Sequence, residues 1–215
     1  MLNAASLLPG PIAPGEIVTL LGAFGIPADS SAAVAATMNG AAMPVLYALG
    51  NQINAIVPVS MDSTKPAALA IGFQNQQIAQ LTLPTTATSP ALFTQNGTGI
   101  GLGAILNQDY SYNSPSNPAP AGSIVALYGT GFGPLLPPAV EGQPGVISAT
   151  QLPVVATIGG QPADVLYAGA APQLPGGVVQ INLRIPAGIP TLQPAPVAIK
   201  VGDVSMPNGI TVAVR

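Results

Sequence analysis

Hydrophobic positions in this chain come in short bursts. Val, Ile, Leu and Thr concentrate at 16–21, 42–48, 51–57, 67–73 and 78–83, and each run is closed by Gly, Pro, Asn or Asp. The same rhythm returns at 123–128, 153–158, 162–168, 178–185, 196–201 and 209–214. Short apolar runs bounded by turn formers are the pattern of strands joined by hairpins. No window of about 11 residues combines a helical period with freedom from Pro. Six or seven strands in about 100 residues is the spacing of an immunoglobulin-like sandwich.

The bursts are also duplicated. Gly15-Glu16-Ile17-Val18-Thr19-Leu20-Leu21-Gly22, with Phe24 after it, returns as Gly122-Ser123-Ile124-Val125-Ala126-Leu127-Tyr128-Gly129 with Phe132. Val45-Leu46-Tyr47-Ala48 returns as Val165-Leu166-Tyr167-Ala168, and Gln52-Ile53-Asn54 as Gln180-Ile181-Asn182. Leu2-Asn3 parallels Leu106-Asn107. Three blocks in one order mark a repeat, which governs the reading of the whole chain. The offset grows from 107 to 120 to 128, placing insertions in the second copy near 134–150 and 170–178. Both are rich in Pro and Gly, as surface loops usually are. Residues 29–38 open with a helix-capping Asp29-Ser30-Ser31, yet their alignment with 153–158 favours a strand near the segment's end. The expectation is all-β: one sandwich at 1–88, a Gly-rich connector at 89–103 and a second sandwich at 104–215.

Composition narrows the function. The 215 residues include 4 basic and 7 acidic side chains, with no His, Cys or Trp. Four cations cannot neutralise a row of phosphates, which argues against nucleic-acid binding. Without His or Cys there is no imidazole base, no Cys nucleophile and no zinc site of the usual ligands. Mean hydropathy is +0.52, but Pro or Gly interrupts every apolar stretch well short of the ~18 residues of a transmembrane helix. Residues 1–9 have neither the basic start nor the apolar centre of a signal peptide, so export implies a leader outside this sequence.

Pro120-Ala121-Gly122-Ser123-Ile124-Val125-Ala126-Leu127-Tyr128-Gly129-Thr130-Gly131-Phe132-Gly133-Pro134 resembles the opening strand and turn of IPT/TIG-type immunoglobulin-like domains. Ile158-Gly159-Gly160-Gln161-Pro162-Ala163-Asp164-Val165 is similar to the hairpin that follows in that family. Nearly the whole chain resembles the Solibacter-type uncharacterised C-terminal domain of secreted bacterial proteins. Asn3-Ala4-Ala5-Ser6, Ala13-Pro14-Gly15, Gln52-Ile53-Asn54-Ala55, Ser89-Pro90-Ala91-Leu92-Phe93 and Asn117-Pro118-Ala119 carry that likeness. The resemblance implies an extracellular or cell-surface setting without catalysis. At Asn107-Gln108-Asp109-Tyr110-Ser111 the chain lacks the Gly that the family places after the Asp, which suggests a straighter segment there.

Asn107, Asp109, Ser111 and Asn113 set oxygen-bearing side chains at alternate positions, as in a calcium loop. One carboxylate, no sharp-turn Gly and no distal Glu weigh instead for a solvated Asn/Ser-rich strand. Tyr110 and Tyr112 share a face if that strand is extended. They then either stack on sugar rings or fill the crevice between the sandwiches, and packing is the favoured expectation. The repeated amides Gln52, Asn54, Gln180 and Asn182 are expected to bond backbone at a strand edge, and Tyr47 and Tyr167 to share a folding role. The carboxylates Glu16, Asp29, Asp62, Asp109, Glu141, Asp164 and Asp203 form no glycosidase-like pair. Gly97–Gly103 lacks the Lys of a phosphate loop, and Asn96-Gly97-Thr98 fits a glycosylation acceptor.

Charged residues are 5% of the chain against the ~25% of ordinary soluble domains. A surface so poor in charge favours association. The leading expectation is therefore a non-enzymatic extracellular structural protein whose partner is a further copy of itself, in a fibre or surface assembly. Residues 2–8 and 134–150 are its candidate contacts. The alternative is an accessory binding or adhesion module for polysaccharide or protein in a larger secreted polypeptide. No cofactor is expected apart from the candidate calcium.

Overall fold

The computed structural model describes residues 1–28, 30–140, 143–189 and 194–215. Apart from one 3-10 turn at Ser31–Ala33, its regular elements are all β-strands. The first half contains β1 (Leu2–Asn3), β2 (Ile17–Ile26), β3 (Val34–Met38), β4 (Ala41–Met43), β5 (Val45–Ile56), β6 (Ala67–Phe73) and β7 (Gln76–Leu83). They form two sheets ordered β1-β2-β5 and β4-β3-β6-β7. Strand alternation turns Ala36 and Met38, Ile53 and Ala55, and Leu69 and Ile71 inward, where all six are buried between the sheets. The capping pattern at 29–38 thus yields one short turn and then a strand, as the alignment with 153–158 implied.

Between the halves lie β8 (Ala91–Leu92) and β9 (Gly101–Leu102). The second half continues with β10 (Ile105–Leu106), β11 (Ile124–Thr130), β12 (Leu135–Leu136), β13 (Ala149–Thr150), β14 (Val154–Ile158) and β15 (Gln161–Ala163). It ends with β16 (Val165–Ala170), β17 (Val179–Arg184), β18 (Ala195–Val201), β19 (Val204–Ser205) and β20 (Ile210–Val212). One sheet runs β10-β11-β17-β16-β13-β12 and the other β15-β14-β18-β20-β9. Phe132, Leu127, Ile181 and Ile199 are among the side chains buried between them. The two cores share no residue: the first draws on positions up to 83, the second on positions from 92 onward.

The duplication seen in the sequence is also present in strand register. Leu2 faces Thr19 as Leu106 faces Ala126, and Leu21 faces Gln52 as Tyr128 faces Gln180. Each copy enters its long strand through a turn with glycine at positive φ, Gly15 (73°) and Gly122 (77°). Each also lays a lone parallel bridge beside its last strand, Ile12 with Thr85 and Ala119 with Val214.

The hairpin after that turn shows where the second copy grew. The Ile56 amide donates to the Pro44 carbonyl at 3.0 Å, and the Arg184 amide to the Asp164 carbonyl at 3.0 Å. Twelve fully extended residues would hold such ends roughly 36 Å apart. β5 therefore folds back on itself, and Gly50 (φ 58°) supplies the reversal. In the second copy the same hairpin opens into separate strands, β16 and β17, joined by the inserted loop 171–178.

That loop and the insertion at 134–150 are not free surface excursions. The Gly145 amide donates to the Leu174 carbonyl at 2.8 Å, and the Gly176 amide to the Gln143 carbonyl at 3.1 Å. The loop also reaches the first half. Thr130 Oγ1 donates to the Gly177 carbonyl and accepts from the Ile17 amide, both at 2.8 Å.

The stretch 89–103, expected as a connector, is stitched into the second half's sheets. β8 pairs antiparallel with Gly129–Thr130 of β11, and β9 pairs parallel with Ile210–Thr211 of β20. Alternating glycines make room for it. A Cβ on Gly129, Gly131 or Gly133 would lie 2.4 Å from the Ala91 oxygen, 2.0 Å from the Ser89 oxygen or 2.5 Å from the Ala87 oxygen. The IPT/TIG-like glycines are thus a track on which the preceding segment lies.

Candidate functional site

Glu16 is the buried carboxyl of the chain's described residues, 1% exposed, at the junction of the halves. It accepts the Ala13 amide at 2.8 Å. Burial pushes its pKa from 4.5 up to about 8, against the opposing hydrogen bonds from the Ala13 backbone and the Asn3 and Ser89 side chains. The copy's counterpart, Ser123, closes the same turn by donating its hydroxyl to the Pro120 carbonyl at 2.6 Å. Both side chains therefore serve the turn.

The other described carboxylates are scattered. Asp62 pairs with Lys65 at 3.3 Å, Asp164 with Arg184 at 3.5 Å and Asp203 with Lys200 at 3.6 Å, all at the surface. Asp29 and Glu141 lie outside the described residues. Among the described residues no three acidic side chains gather as a metal site.

The loop after β10 is a turn, contrary to the straighter segment expected from its missing glycine. The Asn107 amide donates to the Ser111 carbonyl at 2.8 Å, and the Tyr110 amide to the Asn107 carbonyl at 2.9 Å. Tyr110 itself takes the left-handed conformation, φ 64°, that glycine would adopt without cost. The matching loop of the first copy does likewise with Leu7 at φ 57°.

The four candidate calcium ligands spend oxygens on bracing this loop. Asn107 Oδ1 accepts from Asn113 Nδ2 at 2.9 Å. Asn113 is 1% exposed, and its amide forms a miniature ladder with Ala213: Nδ2 donates to the Ala213 carbonyl and Oδ1 accepts the Ala213 amide, both at 2.8 Å. Asp109 accepts the Ser111 amide at 3.0 Å and the Ser111 hydroxyl at 2.5 Å, and the hydroxyl bond foremost holds its pKa below 3.8. The network pins the loop to the end of the chain.

What the braced loop presents is aromatic. Tyr110 and Tyr112 are 84% and 77% exposed, so neither fills a crevice between sandwiches, contrary to the packing expectation. Tyr112 borders a groove of about 570 Å³ whose other walls include Thr94, Gln95, Leu106, Ser114, Tyr128 and Leu174. Tyr128 is half-buried on β11; burial first, and the nearby Tyr110 second, raise its pKa above 10.0. Three of the chain's five tyrosines thus gather at one place. Polar groups sit among them: Gln95 Nε2 donates to the Asn113 carbonyl at 2.6 Å, and Ser114 Oγ lies 3.0 Å from Ser116 Oγ. Leu174 comes from the inserted 170–178 loop, so the insertion shapes the groove.

Sequence reasoning named Tyr110 and Tyr112 but passed over Tyr128. The available signal was its place in the repeat, since it stands where the first copy has Leu21, an outward position 59% exposed. The repeated amides also bond differently from expectation. Gln52 Nε2 donates to Asn54 Oδ1 at 3.0 Å and Gln180 Nε2 to Asn182 Oδ1 at 2.9 Å, side chain to side chain along one strand face. Tyr47 and Tyr167 differ in setting. The Tyr167 hydroxyl reaches the Ser148 and Ala170 carbonyls at 3.1 and 2.7 Å, whereas Tyr47 is 44% exposed. The glycosylation-type Asn96-Gly97-Thr98 lies exposed between β8 and β9, with Thr98 Oγ1 donating to Asn96 Oδ1 at 2.8 Å.

No family model matches this chain, and no curated protein does. Among solved structures, the chain is similar to the crystal structure of a surface glycan-binding protein from Prevotella bryantii. The identity is 14% and the TM-score 0.29, over 93% of this chain and 36% of that one. The chain thus spans about a third of that protein's length. No helix among the described residues is long and apolar enough to cross a membrane.

Proposed function

We propose that this chain is a non-catalytic extracellular binding module whose second sandwich holds polysaccharide in the tyrosine groove, as part of the attachment machinery of a secreted or surface protein. The observation that supports it most is Tyr110, a bulky ring kept 84% exposed on a left-handed backbone beside Tyr112 and Tyr128. Such a conformation costs about 1–2 kcal/mol in a non-glycine residue, and little buried contact returns it. The matching turn of the first copy holds Leu7 in the same conformation, so what is particular to this loop is the aromatic ring it displays. Aromatic faces offer apolar contact to the C–H faces of sugar rings, while Gln95 and Ser114 offer polar groups to hydroxyls. The Solibacter-type resemblance agrees with this setting.

Affinity electrophoresis through gels containing different neutral polysaccharides tests the proposal. Retardation by at least one of them, lost in Tyr112→Ala and Tyr110→Gly, is the expected result. Equal mobility in every gel, or retardation that both variants retain, refutes it.

A second reading has its own observation. Leu136, Val140, Val146 and Ile147 of the 134–150 insertion are 65%, 64%, 58% and 79% exposed, an apolar surface suited to contact between copies. Light scattering across a wide concentration range separates the two, because self-association through the insertion requires a mass that rises with concentration.

A further inference from the structure

The tyrosine groove is poor in free polar groups for a site that would hold fully hydroxylated sugars. Its walls are mainly apolar: Ala104, Leu106 and Leu174 stand with the rings of Tyr112 and Tyr128. The polar side chains between them are partly committed to the protein. Thr94 Oγ1 accepts the Thr98 and Gly99 amides, both at 3.1 Å. Gln95 Nε2 is held on the Asn113 carbonyl at 2.6 Å, and the Ser114 hydroxyl is engaged with that of Ser116 at 3.0 Å. What stays open to a ligand is chiefly an acceptor, Gln95 Oε1, which receives no hydrogen bond among the described residues, together with the two phenol groups.

No described residue bordering the groove carries a formal charge. Three of the chain's four cations pair with carboxylates elsewhere, Lys65 with Asp62, Arg184 with Asp164 and Lys200 with Asp203. The fourth, Arg215, borders a separate hollow beside Asp109. An anionic sugar thus meets no cation in the groove, and a charge taken out of water without a partner is costly.

These features select among neutral sugars as well. In a β-1,4-linked glucose chain every internal ring brings three hydroxyls, and each one desolvated against Leu106 or Leu174 without a partner weakens binding. An acetamido group at C2 removes one of those hydroxyls. It brings instead an N–H donor, which suits a free acceptor, and a methyl, which suits an apolar wall. Burying one group of CH2 size is worth about fourfold in affinity.

We propose that the groove is selective for neutral glycans built of N-acetylated amino sugars, with the methyl packed against Leu174 and the acetamido N–H on Gln95 Oε1. This rests on the groove being the glycan site, as proposed above. Leu174 belongs to the inserted loop 171–178, so the selectivity comes from a segment with no counterpart in the first copy, where β5 turns at Gly50.

The test is calorimetric titration of the full chain with two hexamers of the same β-1,4 linkage, one of N-acetylglucosamine and one of glucose. The acetylated hexamer is expected to bind at least fivefold more tightly. Leu174→Ser, at a partly exposed loop position and checked for unchanged melting, should bring the two affinities within twofold by weakening the acetylated hexamer alone. A merely structural defect would weaken both. Chitin and purified peptidoglycan both present N-acetylated sugars, but every second sugar of peptidoglycan bears a lactyl carboxyl group, so chitin should retain more protein in pelleting assays. Equal or tighter binding of the glucose hexamer overturns the selectivity and leaves the groove a glycan site. A preference that Leu174→Ser leaves intact, or stronger retention by peptidoglycan, also overturns it. Binding of neither hexamer overturns it too, and the groove reading falls with it only if every polysaccharide gel also fails to retard the chain.

Discussion

Replacing Glu16 with glutamine removes the titration at the junction and leaves its shape. The carboxyl is 1% exposed and its pKa is about 8, against 4.5 for an ordinary side chain. Folding therefore takes up a proton between those values. The native state binds more protons than the unfolded one across that window, so stability falls as pH rises from about 4.5 to about 8 and levels off above. At 1.36 kcal/mol per pKa unit, the loss between pH 5 and pH 9 is about 4 kcal/mol, an order-of-magnitude figure. For a chain of this size that corresponds to a fall in Tm of roughly 8–16 °C. Asp62 and Asp109, whose pKa values are lowered chiefly by the Thr64 and Ser111 hydroxyls, titrate below this window and leave the profile clear. The carboxamide of the Glu16→Gln variant can still accept the Ala13 amide and donate toward its neighbours, as the protonated acid does. Urea melts at half-unit pH steps should give a sloping wild-type profile and a flat Glu16→Gln profile, with the variant more stable at pH 9. A flat wild-type profile, or a variant that keeps the slope, would refute the reasoning.

Four further outcomes follow from the glycines and the braced loop. Gly131→Ala puts a Cβ 2.0 Å from the Ser89 oxygen at φ 79°, and should destabilise by more than about 3 kcal/mol in urea melts. Gly50→Ala, at φ 58° with open space around it, should lose only about 1 kcal/mol. Asn113→Leu leaves the Ala213 amide unpaired at a buried site, while the Ala213 carbonyl keeps the Ala119 amide; the cost should be about 1–3 kcal/mol, and hydrogen exchange at the Ala213 amide should accelerate. Tyr110→Gly should be more stable than Tyr110→Ala by about 1 kcal/mol in thermal melts, because both lose the ring but only glycine relieves φ 64°.

The all-β class and the strand positions were legible because period-2 burial and turn chemistry are local. The stretch 170–178, where the offset grows, falls at the turn between β16 and β17. What could not be read depends on long-range pairing. Nothing local in Ser89-Pro90-Ala91-Leu92 says that it will lie along Gly129, Gly131 and Gly133, although the spacing of those glycines made room for a neighbour. The turn at Tyr110 was missed because a glycine-like conformation was not expected of a tyrosine. The extended-strand reading of 107–113 then misplaced both rings. The meeting of Tyr128 with the loop likewise arises from β10 pairing with β11, a contact invisible until the sheet is assembled.

The central claim rests on the tyrosine groove, and amide NMR of the full chain, titrated with oligosaccharide from whichever polysaccharide retards it most, tests that claim directly. Shifts that saturate at Tyr110, Tyr112, Tyr128 and Gln95, and that vanish in Tyr112→Ala, are predicted. Shifts confined to other surfaces, or none for any glycan tried, would contradict the assignment of the groove as the binding site.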